Sequence, residues 1–170
     1  MKVVETERLI LREFSLTDAP FILELVNDPS WLQYIGDRDV HSVAEARLYL
    51  QTGPLDSYQR FGFGLYLTRL KREETPIGMC GFVKRPSLPD VDIGYALLPQ
   101  FAGQGFAFEA ATAVMNYGKT ALGLKRLAAV TAPDNIRSIK LLEKLGFHFE
   151  KMVRLAPDAQ KICMYMVEFT

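Results

Sequence analysis

Pro99-Gln100-Phe101-Ala102-Gly103-Gln104-Gly105-Phe106-Ala107-Phe108-Glu109-Ala110-Ala111 is the most informative stretch of this 170-residue chain, because two periodicities meet in it. Before the glycines, Val91, Ile93, Tyr95 and Leu97 alternate with Asp92, Gly94, Ala96 and Leu98, the period of two expected of a strand over 91–98. After them, Ala107, Ala110, Ala111 and Val114 fall along one helical face, with Gly118 near its end. A glycine turn feeding a helix gathers unpaired N–H groups and the positive end of the helix dipole at one point, which suits phosphate. A turn made only for close packing would read the same way. The lysine and Ser/Thr of a nucleotide P-loop do not follow Gly105. About 20 positions on stand Lys125 and Arg126, where a dinucleotide fold needs an acid.

Residues 133–147 carry a second set of signals. Pro133 breaks the strand expected over 127–131, Asp134 or Asn135 can cap a new helix, and Gly146 is placed to end it. Nearer the N-terminus, a strand is expected over 8–14 and a helix over 17–27, with Ile22, Leu23 and Val26 as its apolar stripe. Residues 28–41 read as irregular. Ser42-x-x-Glu45 then reads as a capping box opening a helix to Gln51. Strands are expected over 61–70 and 76–84, joined by a charged loop, and over 148–154 and 162–169. The sum is one α+β domain over 1–170, with a mixed, mostly antiparallel sheet of about seven strands and about four helices.

Lys plus Arg and Asp plus Glu number 20 each, so no global field recruits nucleic acid or an anionic membrane. No apolar run approaches the ~20 residues of a membrane span, and the N-terminus lacks the apolar centre of a signal peptide. Cys80 and Cys163 lie in apolar, strand-like segments and are expected as buried thiols, which points to the cytoplasm. His41 and His148 have no carboxylate or cysteine at ligand spacing, so no metal is expected.

Four motifs in order resemble the GNAT superfamily of N-acetyltransferases. Gln100-Phe-Ala-Gly103-Gln-Gly105 matches its Gln/Arg-x-x-Gly-x-Gly/Ala signature, and Ile93-Gly94-Tyr95 the strand before it. Asn135 through Phe147 matches Asn-x-x-Ser-x-x-Leu-x-Glu-Lys-Leu-Gly-Phe. The opening Thr6-Glu7-Arg8-Leu9-x-Leu11-Arg12 is similar to the ribosomal-protein N-terminal acetyltransferase branch, the RimJ/RimL type.

The resemblance implies a GNAT fold, acetyl-CoA as co-substrate, and a primary amine acceptor, either a protein N-terminus or a small amine. It puts the coenzyme on Gln100, on the amides of Gly103, Gln104, Gly105, Phe106 and Ala107, on the backbone of Leu97 and Leu98, and on Asn135 and Ser138. One N–H near Leu97 would face the thioester oxygen as an oxyanion donor. Asp92 is the implied base, acting directly or through water, and Ser138 the implied acid for the leaving thiolate. Trp31 and Tyr34, with Asp37 and Asp39, would line the acceptor entrance. Each residue has a plainer reading beside this one. Asp90 and Asp92 suit an exposed strand entrance, Ser138 and Asn135 suit a helix start, Trp31 suits a core, and Glu109 suits a helix dipole. Phe101, Phe106 and Phe108 read as packing. Many members carry tyrosine where this chain has Leu142, the one feature favouring a CoA-binding sensor without catalysis. Homodimerisation is left open.

Overall fold

In the computed structural model, which describes residues Met1–Thr170, eight strands form a single sheet. In chain order the elements are β1 (Lys2–Glu5), β2 (Leu9–Glu13), α1 (Ala19–Val26), α2 (Pro29–Tyr34), α3 (Val43–Thr52), α4 (Pro54–Phe61), β3 (Leu65–Leu70) and β4 (Pro76–Val83). They continue with β5 (Asp92–Leu97), α5 (Phe106–Thr120), β6 (Arg126–Thr131), α6 (Ile136–Lys144), β7 (His148–Val153) and β8 (Ile162–Glu168). The spatial order is β1-β2-β3-β4-β5-β6-β8-β7. Every neighbouring pair is antiparallel except β5 and β6, which α5 connects as a parallel crossover.

The strand alternation divides the core between the two faces. Leu9, Leu11, Phe82 and Ile93 meet Phe106, Ala110, Ala111 and Val114 of α5, whose alanines let the helix lie close to the sheet. On the other face Leu67, Met79 and Leu98 meet Ile22 and Leu25 of α1 and Ala46 and Leu50 of α3. Leu9, Leu11, Leu67 and Leu50 have no exposed surface, each worth about 1.5–3 kcal/mol of apolar burial. Arg12 ties β2 to the turn before α1, donating to both Asp18 oxygens at 2.9 and 2.8 Å. Cys80 and Cys163 are buried free thiols.

The α+β class and the mixed sheet are as expected, with more elements. The additional strand is β1, a short charged edge that pairs with β2 across a bulge. Residues 28–41 contain α2, which starts because the Asp28 carboxylate accepts the Ser30 N–H at 3.0 Å. The strand expected from residue 61 begins at Leu65 instead. Pro54 opens α4 and Gly62, with φ +78°, ends it in the left-handed region, so residue 61 is the last of a helix. The alternation Phe61-Gly-Phe-Gly-Leu imitated a strand across that helix end. No helix is long and apolar enough to cross a membrane.

Candidate active site

β5 and β6 share a single register pair, Asp92 with Ala128, and part beyond it. On its other side β5 stays paired with β4 from Asp92–Val83 to Leu97–Gly78, and the Leu98 N–H donates to the Ile77 carbonyl at 2.8 Å. Backbone groups alternate sides along a strand. Leu98 therefore turns its N–H to β4, while Tyr95 and Leu97 turn theirs to the side that β6 has left. Of the two residues expected to bond the coenzyme arm through their backbone, Leu97 has the free N–H. The Leu98 N–H is engaged with β4, and its side chain is buried on the α1–α3 face.

At the open end of β5 the chain makes a short turn, Pro99–Phe101, and enters α5 through two left-handed glycines. Gly103 has φ +76° and Gly105 has φ +84°, conformations that side chains rarely adopt. Gly103 and Gln104 are exposed and Ala107 half-buried, whereas Phe106 is buried in the core. Gln104 closes the turn by donating its side-chain amide to the Gln100 carbonyl at 3.1 Å. Phe108 packs beneath the Lys144 ammonium, 4.1 Å from its ring centre.

Facing this cleft, α6 begins at Asn135, whose side-chain oxygen accepts the Ser138 N–H at 3.2 Å. The cap uses only that oxygen; the Asn135 NH₂ keeps two donors. Ser138 is half-buried and its hydroxyl lies 2.8 Å from the Tyr95 hydroxyl, joining α6 to β5 across the gap. Burial pushes the Tyr95 phenol up to about 12 despite the bond from Ser138, so it stays protonated and able to donate. Leu142 has no exposed surface and belongs to the α5-side core. The phenol of this cleft comes from Tyr95 instead. Ile93-Gly94-Tyr95 was legible as a strand motif, but nothing in it signalled a partner 43 residues away.

Asp92 lies at the closed end of the cleft, about 17 Å from Leu97 along an extended strand. It is 1% exposed, on the face opposite α5. Its Oδ2 accepts from the Arg85 Nε at 2.9 Å, and its Oδ1 has no partner. Burial raises its carboxyl above the usual range, and Arg85 offsets only part of that rise. The exposed-entrance reading fails for Asp92, and Asp90 is engaged separately with Arg126 at 2.7 Å. Of the two entrance aromatics, Trp31 takes the core position that its plainer reading allowed. It is 6% exposed and packs in the core with Val40, Ala46 and Leu50, leaving half-buried Tyr34 as the aromatic of α2 that reaches the surface.

The sequence reading missed the hold on the phosphate-like turn. Glu109, in the first turn of α5, accepts the Thr6 hydroxyl at 2.6 Å, the Arg8 N–H at 3.0 Å and the Arg8 Nε at 2.7 Å. Burial pushes its carboxyl up, but these bonds together outweigh that and hold it below the usual range.

The acetyltransferase (GNAT) domain model matches residues 8–148. An uncharacterized N-acetyltransferase of Bacillus subtilis, YoaA, is 33% identical over 153 residues, covering 89% of this chain and 86% of its own. The ribosomal protein uS5-alanine N-acetyltransferase of Escherichia coli is 32% identical over 101 residues, covering 58% of this chain and 52% of its own. Among solved structures, the RimL ribosomal L7/L12 alpha-N-protein acetyltransferase in complex with coenzyme A has TM-score 0.84 at 23% identity, covering 99% of this chain and 98% of its own. The chain belongs to the GNAT acetyltransferase family, an acyltransferase that moves an acetyl group to an amine.

Proposed function

We propose that the protein moves the acetyl group of acetyl-CoA to a free α-amine at a peptide N-terminus. The observation that carries the cofactor half of this reading is the parting of β5 from β6 after a single residue pair, beside a left-handed glycine turn at a helix start. In this reading the amides from Gly103 to Ala107, with Gln100 alongside, hold the pyrophosphate. The Leu97 backbone and the Asn135 amide bond the pantetheine arm, and a β5 N–H turned to the gap faces the thioester oxygen. Acetyl-CoA supplies the activated acyl group. The amine nitrogen bonds the acyl carbon, the C–S bond breaks, one proton leaves the amine and one reaches sulfur.

The acceptor half rests on the state of Asp92. Its one unpaired oxygen, Oδ1, is the candidate base; because that atom is buried, it would act through a water that enters beside it from the open part of the cleft, and Arg85 holds the other oxygen. A carboxylate so engaged suits an amine that needs little from a base. An α-amine with pKa about 7.7–8.0 is roughly 10–20% neutral at pH 7, a lysine amine below about 0.1%. The E. coli relative named for ribosomal protein uS5-alanine fits the same choice. Tyr34 is the entrance aromatic. The buried free thiols suit a reducing compartment such as the cytoplasm.

A thiol-release assay with acetyl-CoA tests the acceptor. Alanine- and serine-initiated peptides are expected to exceed N-blocked lysine peptides and spermidine in kcat/KM at pH 7 by about tenfold or more, following the difference in neutral fraction. Higher turnover of spermidine would overturn the peptide assignment.

Ser138 is the candidate acid for the leaving thiolate, backed by Tyr95. Ser138→Ala is expected to lower kcat by about tenfold, less than the about 10²-fold or more of a fully lost general acid. The thiol has pKa about 8.5 and leaves readily, and the Tyr95 phenol remains. Acetyl-CoA affinity should stay within a few-fold. A thousandfold loss at unchanged affinity would make Ser138 the principal acid.

A further inference from the structure

Thr6-Glu7-Arg8 forms the connection between β1 and β2, closed by the Thr6 N–H on the Leu9 carbonyl at 2.9 Å and the Leu9 N–H on the Thr6 hydroxyl at 3.0 Å. Lys71 braces it from β3's end, with its N–H on the Arg8 carbonyl at 2.8 Å. The Arg8 side chain is thereby presented to the glycine turn and the first turn of α5, from Gln104, 96 residues on, to Glu109, 101 residues on, where it makes three distinct contacts. Its Nε donates to Glu109, its guanidinium lies 4.3 Å from the Phe106 ring centre, and its Nη1 donates to the Gln104 carbonyl at 3.0 Å. Nη2 stands 3.3 Å from the point where a Cβ on Gly105 would be.

The bond to Gln104 has a geometric consequence. In a trans peptide the C=O of one residue and the N–H of the next point in opposite directions. Fixing the Gln104 carbonyl toward Arg8 therefore fixes the Gly105 N–H to the opposite side, away from Arg8. A left-handed glycine pair has few intrinsic restraints, because glycine visits both signs of φ readily. Some outside contact must hold that peptide plane, and Arg8 supplies it. Glu109 in turn orients Arg8: a carboxylate taking both Nε–H and the backbone N–H leaves the guanidinium fork a single direction.

We propose that Arg8 is a positioning residue for the coenzyme pyrophosphate. It acts through the Gln104–Gly105 peptide and is aligned by Glu109, so that a segment at the opposite end of the sequence sets the donor geometry of the phosphate turn. The proposal rests on the acetyl-CoA reading above and adds to it the role of the opening Thr6-Glu7-Arg8 segment.

The test compares acetyl-CoA with S-acetylpantetheine, which has the same thioester and lacks the pyrophosphate. Arg8→Ala is expected to raise the KM and Kd for acetyl-CoA by about tenfold or more, as loss of a charge-assisted bond does. Its kcat at saturation, and kcat/KM for S-acetylpantetheine, should stay within about twofold, since the cleft beyond the turn is untouched. Arg8→Lys keeps the charge but cannot serve Glu109 and the Gln104 carbonyl together, so it should show most of the same loss. Should Arg8→Ala fail to fold, Arg8→Lys carries the test alone, with its melting midpoint followed in parallel. Full rescue by lysine would mean that charge alone matters, and equal losses on both thioesters would mean a general structural role; either overturns the proposal, as does no loss. Wild-type protein that takes S-acetylpantetheine but shows no preference for acetyl-CoA would overturn the pyrophosphate reading itself, and the proposal with it.

Discussion

Gly105→Asp is expected to raise the Kd for acetyl-CoA by at least about a hundredfold, and in practice to abolish binding in calorimetry. Two effects act together. An aspartate at 105 brings a carboxylate to the turn beside the Arg8 Nη2, which lies 3.3 Å from the new Cβ. It would pair there and draw Arg8 off the Gln104 carbonyl, freeing the peptide that aims the Gly105 N–H, while its charge repels the pyrophosphate across the turn; like charges in close juxtaposition cost several kcal/mol, each 1.4 being about tenfold. The second effect is local strain. Gly105 has φ +84°, and a side chain in the left-handed region costs roughly 1–2 kcal/mol. Gly105→Ala separates the two. It carries the strain without the charge, so it should lower the melting midpoint similarly while weakening acetyl-CoA by no more than about tenfold. Undiminished affinity in Gly105→Asp would sink the pyrophosphate assignment. Equal affinity losses in the two variants would show that backbone geometry, not anion exclusion, governs the turn.

That turn was legible because its constraint is covalent and local. Only glycine takes the left-handed region freely, so the backbone writes itself into positions 103 and 105. The strand before it was legible for a similar reason, since alternation directly reports a pleated strand whose successive side chains face opposite sides of the sheet. The parting of β5 from β6 is different in kind. It depends on where a neighbouring strand goes after Ala128, and no residue of β5 encodes that; only the family resemblance suggested it. Tyr95 and Ser138, or Arg8 and Glu109, meet because the crossover and the β1–β2 connection bring remote segments together. Such pairs leave no periodicity to read. Trp31 was ambiguous for a related reason: a large amphipathic ring suits a core or an entrance equally, and the packing of α1 and α3 buries it in the core. An exposed entrance suited Asp92 as well as a base did because Pro89 and Asp90 precede it, whereas Arg85, seven residues earlier, folds back to accompany it into the interior.

Asp92→Asn is expected to lower kcat/KM by about a hundredfold, the low end for a lost general base. It is also expected to lower stability by about 1–3 kcal/mol, because the amide nitrogen that replaces the unpartnered, buried Oδ1 finds no acceptor there. Asparagine preserves the shape and removes the charge, so Arg85 is left without a counter-ion. Loss of activity could then follow from either the missing base or the disturbed strand start, and two measurements separate them. The first is the pH–rate profile. Burial raises the Asp92 carboxyl despite Arg85, so the acid limb of kcat/KM in the wild type should fall at a pH above the usual carboxylate range of about 3.9, and this limb should vanish in Asp92→Asn. The same shift fixes a sign for stability. A raised carboxyl in the folded state favours folding most below its unfolded pKa, and that contribution is lost as pH rises through the folded value. The stability of wild type relative to Asp92→Asn should therefore grow on acidification. The second measurement is the double variant Asp92→Asn with Arg85→Gln, which removes the orphaned cation. Its melting midpoint should recover toward wild type while its activity stays about a hundredfold down. Recovery of activity along with stability would show that Asp92 serves only to neutralise Arg85, and the proton of the acceptor amine would then have to leave directly to water.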